Sequence, residues 1–413
     1  MAGEPVPRGP WPRGINNRQP DGSVPLDALR NAVNVDIDNS GRVRVMAGIT
    51  KVYAGNGVTS LTGNPLGTFF VEGGALKKLD TSTIPAATAT VLRTGIGPNV
   101  AYEYANGELF YSDGTVTGKI KADGSQGLWG IPVPLAPVVF GTAGGLPGGK
   151  YTVYTAATDG VEESGASEPV QVSLPSFGGL RVQTAPTGAV GLTRVYATTA
   201  NGDAFYYVGT VASGGALDVT TLPGSGRNQN PEFVAPPPAG TIIRFFRGRL
   251  FIVVGAAVYW TEPYQPGRVD YSKNFWPFPA AISVFEPVAD GFWLVSDVTY
   301  WIPCDDPAKS QAVRRLEYGA IAGTGVRIPS TGENPAVEKV LWMSQRGVCR
   351  GEDGGSVVNL QEANVAIRPG VQGAALVREQ NGLRQYLATY PPSGTSPMQA
   401  STWATAEVIR KGF

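Results

Sequence analysis

The chain has 413 residues, with 33 Lys+Arg balanced by 33 Asp+Glu, two cysteines and no histidine. Without an imidazole there is no Ser-His-Asp triad, no Cys-His dyad and no His-ligated zinc or copper. A net charge of zero argues against a protein that grips nucleic acid non-specifically, because such binding needs a cationic excess to release counterions. Cys304 and Cys349 stand too far apart for a CxxC redox pair; they could form one bridge, but two buried thiols are the expected state. With 42% apolar residues the chain can bury a sizeable core, as one large domain or a few smaller ones. No apolar run is long enough to span a bilayer, and residues 1–16 lack the apolar stretch of an export signal, so the expectation is a soluble protein with no membrane insertion. The 55 Gly and 34 Pro residues read as turns rather than disorder.

In chain order, residues 25–32 predict a short helix with Ser23 as a possible cap. The run Asp36-Ile37-Asp38-Asn39-Ser40-Gly41 places oxygen ligands at alternate positions with Gly sixth, as a calcium loop would, but its twelfth position is Ala47 instead of a bidentate Glu. The favoured reading is a hairpin turn joining residues 32–37 to residues 42–45. Most of the rest reads as short strands rich in Val, Ile, Thr, Tyr, Phe and Trp, separated by Gly, Asn-Gly and Asp-Gly turns. The class is therefore all-β. A unit of turn, apolar-aromatic strand, turn and return strand recurs in residues 68–76, 107–116, 248–260, 290–301, 339–348 and 381–390. Recurrence at roughly 40 to 50 residues is the mark of β-propeller blades, where small sheets that cannot bury both faces alone bury each other.

The interval from Gly114 to Gly248 is far longer than a blade needs and is bounded by Pro-rich joints at residues 131–137 and 235–238. Inside it lie strands at residues 150–156 and 169–174, then a hairpin from 193–200 to 204–208 whose Asn201-Gly202 dipeptide predicts a type I′ turn. The expected architecture is a β-propeller with an inserted fibronectin-like β-sandwich. Residues 1–135 form an N-terminal arm and the first part of the propeller, 136–222 the inserted sandwich and 223–413 the remainder. Weaker helical signals fall at residues 362–366 and 404–411.

Few strings carry chemistry. The adjacent acids Asp305-Asp306 and Glu162-Glu163 read as solvated turn residues, and the Gly-rich run ending at Lys150 lacks the Lys-Ser/Thr ending of a phosphate loop. Neither Ser112-Asp113-Gly114 nor Asp123-Gly124 with Trp129 has the spacing of a sialidase-type box. The basic clusters at residues 244–249 and at Arg314-Arg315 read as a subunit boundary or an exposed strand edge. No catalytic, cofactor or metal site is assigned. Residues 263–279 are dense in aromatics and Pro, and Tyr264, Tyr271, Phe275, Trp276 and Phe278 are the expected subunit-interface residues.

Three stretches carry a family resemblance. Gly14-Ile15-Asn16-Asn17 with Asn34-Val35-Asp36 and Gly41 resembles the opening of the tail-nozzle and tail-stabilisation proteins of short-tailed bacteriophages, although Val45-Met46-Ala47-Gly48 departs from the basic pair and Pro usual there. The stretch from Arg249 to Glu262-Pro263 resembles a "G-R-L-x … V-Y-x-S-x-P" blade, and Asp290-Gly291 through Asp297 is similar to a "D-G-x-x-V-x-T-D" blade. The resemblance implies a propeller with inserted sandwich domains that assembles as a homo-hexamer below a tail adaptor in the virion. It implies contacts with the adaptor or other tail proteins, transient passage of double-stranded DNA and help in retaining packaged DNA, with no enzymatic residues.

A structural tail component therefore leads. A host-surface receptor- or glycan-binding propeller, with Trp11, Trp129, Trp276 and Trp301 as stacking platforms, is the alternative, and a histidine-free carboxylate hydrolase is a third. Excising residues 136–221 and joining the ends by a short Gly/Ser linker should leave the remainder folded, as read by near-ultraviolet circular dichroism and a cooperative melt. Global unfolding of the truncated chain would refute the division.

Overall fold

The structure, a computed structural model, describes residues 9–33, 35–37, 40–45, 50–84, 86–222, 232–328, 338–367, 370–380, 383–391 and 407–410. The described residues contain strands and four three-residue 3₁₀ turns but no α-helix. Near the N-terminus β1 (Val35–Ile37) and β2 (Val43–Val45) pair as an antiparallel hairpin. This is the turn reading of the calcium-like string, although Asp38, Asn39 and Ala47 lie outside the described residues.

Antiparallel sheets then follow one another. The first comprises β3 (Thr59–Asn64), β4 (Gly67–Glu72), β5 (Ala75–Asp80) and β6 (Thr88–Thr94). The second comprises β7 (Ala101–Ala105), β8 (Glu108–Ser112), β9 (Thr117–Ile120) and β10 (Gln126–Gly127). The next strands are β11 (Val138–Leu146), β12 (Gly149–Thr158), β13 (Val170–Leu174), β14 (Gly178–Gln183), β15 (Leu192–Thr198), β16 (Phe205–Ala212) and β17 (Ala216–Val219). They form two sheets of order β11-β14-β17 and β13-β12-β15-β16. Both contribute to one core that includes Tyr151, Val153, Leu180, Val182 and Val195.

After β18 (Val234–Ala235), the third sheet consists of β19 (Ile242–Phe246), β20 (Arg249–Val254), β21 (Ala257–Trp260) and, beyond the short β22 (Val269–Asp270) that pairs with β18, β23 (Phe275–Pro277). The fourth holds β24 (Val284–Val288), β25 (Gly291–Val295), β26 (Thr299–Pro303) and β27 (Val313–Leu316). The fifth holds β28 (Val326–Ile328), β29 (Lys339–Ser344), β30 (Gly347–Glu352) and β31 (Val357–Asn359). The sixth has β32 (Ala374–Gln380), β33 (Leu383–Thr389) and β34 (Glu407–Arg410).

The recurring sequence units coincide with the second and third strands of the first, third, fourth and fifth sheets, with β8 in the second, and with β33 in the sixth; Asn381 and Gly382 lie outside the described residues. Their turns explain why they were legible. Between β7 and β8, Ala105 pairs with Glu108 and the two intervening residues, Asn106 and Gly107, have φ of 53° and 83°, the combination a two-residue hairpin of right-handed twist requires.

First strands of successive sheets adjoin: β3 meets β7, β7 meets β19, β19 meets β24, β24 meets β28, and β28 meets β32. Strand alternation sends neighbouring residues to opposite seams. Leu250 and Ile252 pack with Phe110 of the second sheet and with Trp129 just beyond it, whereas Phe251 and Val253 pack with Phe285 and Phe292 of the fourth. Val284 and Trp293 face the other way, onto Val340 and Trp342 of the fifth.

The helical expectations fail. Within residues 25–32, Leu29 donates to the Gly14 carbonyl and accepts from the Asn16 amide, both at 2.7 Å, in a parallel bridge with the arm. A helix this short has too little to repay nucleation, and the arm claims its backbone groups. Residues 362–366 make turns onto the Gln361 carbonyl. At the C-terminus Glu407–Arg410 is strand β34, paired with β33, and the flanking residues 404–406 and 411 lie outside the described residues. The Asn201-Gly202 turn also differs: Asn201 has φ 58° but Gly202 has no positive φ, because residues 199–204 make a longer connection closed by the Gly202 amide on the Thr199 carbonyl at 3.0 Å.

Phe251, fully buried among Phe246, Trp260, Trp276, Phe285 and Phe292, is the centre of the seam between the third and fourth sheets. Phe251→Ala should cost about 3–5 kcal/mol, read as a lowered urea midpoint.

Candidate functional site

The polar groups that stand out lie on the seams and where the first strands converge. Three tryptophans tie adjacent sheets by donating an indole N–H to a backbone carbonyl. Trp129 reaches Pro266 at 2.7 Å, Trp276 reaches Pro307 at 2.9 Å and Trp293 reaches Glu352 at 3.0 Å. Arg247, held at φ 46° in the turn before Gly248, donates to the Cys304 and Ala289 carbonyls at 3.1 Å and to Asp305 at 2.6 Å, binding the third sheet to turns of the fourth.

Arg244 on β19 points along the same seam. Its Nε donates to Glu286 Oε2 on β24 at 2.7 Å, its Nη2 donates to Glu286 Oε1, and its Nη1 donates to the Ile243 carbonyl at 2.6 Å. Burial works against the charged guanidinium, but attraction and hydrogen bonding to the buried Glu286 outweigh it and raise its pKa. Glu103 on β7 lies close enough to feel this pair but makes no ion pair with a described residue. Burial pushes its carboxyl up to about 7, against the opposing influence of Arg244 and of a hydrogen bond from the Phe245 backbone.

The exposed-edge reading of residues 244–249 is corrected at Arg244, which is half-buried and paired across the seam, whereas Arg247 is exposed. Arg244 and Arg247 join sheets, and Arg249 donates to the Thr261 carbonyl at 2.9 Å. Their acceptors lie on other strands and were invisible to local reading. Arg314 and Arg315, by contrast, do sit exposed on the outer strand β27.

The family-motif residues have separate roles, and a few of them join distant parts of the chain. Asn17 clasps a distant turn: its Nδ2 donates to the Ala366 carbonyl at 3.2 Å, its Oδ1 accepts from the Ala366 amide at 2.7 Å, and its own amide donates to the Asn364 carbonyl at 3.2 Å. Asn16 is buried and bonds Gln19. Gly14 has φ 66°. Gly41 packs so closely that a Cβ there would lie 2.6 Å from the Pro12 nitrogen. Asp36 lies in β1, and Asn34 lies outside the described residues. Glu262 accepts from Asn274 at 3.0 Å beside Pro263. Asp290 accepts from the Gly354 amide at 2.8 Å across to the fifth sheet, and Asp297 caps its own turn by accepting from Val298 at 3.0 Å. Gly291 leaves no room for a side chain, whose Cβ would meet the Ile302 carbonyl at 2.2 Å. These residues are dispersed and do not converge on a pocket.

The expected interface aromatics divide. Tyr264 is 79% exposed beside the turn between β19 and β20, and Phe275 is 39% exposed on the outer strand β23. Tyr271 donates its hydroxyl to the Pro236 carbonyl at 2.8 Å, and Trp276 and Phe278 pack onto the core of the third and fourth sheets.

Glu163 contradicts the solvated-turn reading. It is buried, accepts from Arg194 at 2.6 Å and from the Tyr196 hydroxyl at 2.7 Å, and so ties the segment before β13 to the middle of β15. Asp306 caps a 3₁₀ turn through the Ala308 amide at 3.2 Å. Cys304 and Cys349 are free and buried; burial raises both thiols, Cys349 to about 11, which suppresses thiolate chemistry. Among the described residues no three His, Cys, Asp or Glu side chains are grouped to hold a metal ion.

No protein-family model matches the chain, and no curated protein matches it either. Solved structures align over most of its length at low similarity. The N-terminal domain of Nup159 is 11% identical, with 81% of this chain and 73% of that one covered and a TM-score of 0.32. BBS1N, crystallised with ARL6DN, is 11% identical over 83% of this chain and 90% of its own, with a TM-score of 0.33. The AfRom2 CNH domain is 7% identical over 82% and 91%, with a TM-score of 0.26.

Two outcomes are expected. Arg244→Met leaves Glu286 buried without its partner and should cost about 3–5 kcal/mol, measured by urea denaturation. Because the Glu103 carboxyl titrates higher in the folded chain than unfolded, its contribution is full below the unfolded value near 4.5 and is lost as pH rises through about 7. Glu103→Gln should therefore flatten the decline in melting temperature between these two values, with the parent chain as reference.

Proposed function

We propose that the chain is a structural component of a bacteriophage tail: a β-propeller carrying an inserted fibronectin-like sandwich, which assembles six-fold below a tail adaptor as a nozzle or tube ring. In this reading it forms part of the passage through which the genome leaves and helps retain packaged DNA. The observation that carries the reading is the run of six small antiparallel sheets with adjoining first strands, interrupted once by a seven-strand pair of sheets about a separate core. This agrees with the blade rhythm read in the sequence. Among the residues bearing the family resemblance, Asn17 and Asp290 act as joints of such an architecture.

The chemistry is consistent with a wall. Both thiols are buried, and the charges at the converging strands are largely spent on each other. A conduit benefits from weak hold on DNA, because each net phosphate contact adds salt-sensitive affinity. Since Glu103, Arg244 and Glu286 occupy the region where first strands converge, the passage in this proposal runs between copies of the chain. The exposed Tyr264 and Phe275 supply lateral contact area. Of the four tryptophans of the glycan-platform alternative, Trp129 and Trp301 are buried, Trp276 is packed against the core and Trp11 is half-buried.

The deciding experiment is electron microscopy with native mass measurement of the purified chain, alone and with the tail adaptor of the phage that encodes it. Six-fold rings are expected. A monomer under both conditions would overturn the proposal. Tyr264→Ser with Phe275→Ser should weaken ring formation while leaving the melting temperature within about 2 °C of the parent, as expected of surface changes.

A further inference from the structure

We propose that the outer edge of β16, in the seven-strand pair of sheets, is a docking edge for the same strand of a second copy of the chain. The two strands join antiparallel across a two-fold axis into one continuous sheet. A strand at the edge of a sheet offers unpaired N–H and C=O groups to any other strand, so stable edges are kept short or carry charge or Pro. The outer strands of the six successive sheets follow that rule. β10 has two residues, and β23 and β31 have three each, β23 ending in Pro277. β27 carries Arg314 and Arg315, and β34 carries Glu407 and Arg410. β6 carries Arg93, and the Gln126 side-chain amide donates to its Leu92 carbonyl.

β16 is protected in none of these ways. It ends the sheet β13-β12-β15-β16, its 8 residues include neither a charge nor Pro, and no described strand pairs with its outer side. A bulge at Val208 is its one irregularity, and residues 205–207 and 209–212 on either side of it keep register with β15. Tyr207 is 43% exposed and Leu192 on β15 is 40% exposed, so a docked strand covers apolar side chains as well as backbone. The other end of the sheet is different. β13 is flanked at the corner of the sandwich by β11, also uncharged, where a Cβ on Gly141 would lie 3.0 Å from the Leu174 side chain. β17, which follows β16, carries Asp218 paired with Arg181. Among the described outer strands β16 is thus the long, uncharged one with nothing alongside it. An incoming strand has to meet the same description, and a second β16 is the one this chain supplies. A two-fold axis normal to the sheet sets the copies antiparallel, the more stable pairing, and no charge on either strand opposes their approach. The contact is separate from that of Tyr264 and Phe275 and does not depend on the tail reading.

The test is amide hydrogen exchange of the full chain, read by mass spectrometry over residues 205–212, with sedimentation velocity alongside. Exchange in this segment should slow about fivefold between about 1 µM and about 200 µM chain, while exchange in β17 stays unchanged. The full chain carrying Tyr264→Ser and Phe275→Ser, which keeps ring assembly out of the reading, should sediment as a dimer at the higher concentration. Thr210 is exposed on β16; Thr210→Lys, which sets a charge on the edge, should remove the concentration dependence, and Thr210→Ser should keep it. The proposal is overturned if exchange at residues 205–212 of the parent chain is the same at both concentrations, or if a folded Thr210→Lys chain is protected as the parent is. The parent comparison decides the matter even where a variant does not fold. Six-fold rings with no protection of β16 would refute this pairing and leave the tail reading standing.

Discussion

A sheet of four short strands has two faces, and in this chain both are apolar. The fourth sheet is the clearest case, with β24 and β25 buried along their whole length. Such a sheet cannot stand alone; it needs a neighbour on each side. Alternation along every strand then divides its residues between two seams, so that Phe292 faces the third sheet while Trp293 faces the fifth. At roughly 1.5–3 kcal/mol for each large side chain fully buried, these seams dominate what holds the succession of sheets together. The order of sheets in space follows the order of strands in sequence because each sheet covers the one made just before it.

Apolar burial has no direction, and the seams need orienting. Indole donors at Trp129, Trp276 and Trp293 each require one carbonyl of the following sheet at one place. Arg247 and Asp290 do the same through turns. The Arg244–Glu286 pair is the costliest of these devices, because two charges leave water together and the pair repays desolvation only through its paired geometry. Its place on adjoining first strands makes it selective: sliding one sheet past the next would bury both charges unpaired. Glu103, left without such a partner, responds by holding its proton to higher pH.

The same economy bears on function. Several reactive groups join parts of the chain: Asp306 caps a turn, Glu163 pairs with Arg194, and both thiols are buried. What remains towards solvent is a set of separate features, among them the aromatics Tyr264 and Phe275 and the outer edge of β16. The tail-component proposal rests on the run of six sheets and not on these groups.

The hairpins were legible in the sequence because everything that makes them is local. Asn106-Gly107 sits between two strands that it joins, and a positive φ at both residues needs no help from elsewhere. The longer interval between Gly114 and Gly248 likewise announced an extra unit, and β11 through β17 fall inside it. Residues 25–32 misled because helix propensity over so few residues is weak, and the arm residues Gly14 and Asn16 bid for the same backbone. Arg244 looked like an exposed cation because its acceptor, Glu286, is on a different sheet, and Glu163 looked solvated because Arg194 and Tyr196 reach it from β15. Class, strand spacing and the exclusion of imidazole chemistry were determined by the sequence itself, since composition and neighbouring residues suffice for them. Which charges are paired, which tryptophans tie sheets and which sheet edge is left open were decided only by tertiary structure, because those outcomes depend on groups that meet through packing and not along the chain.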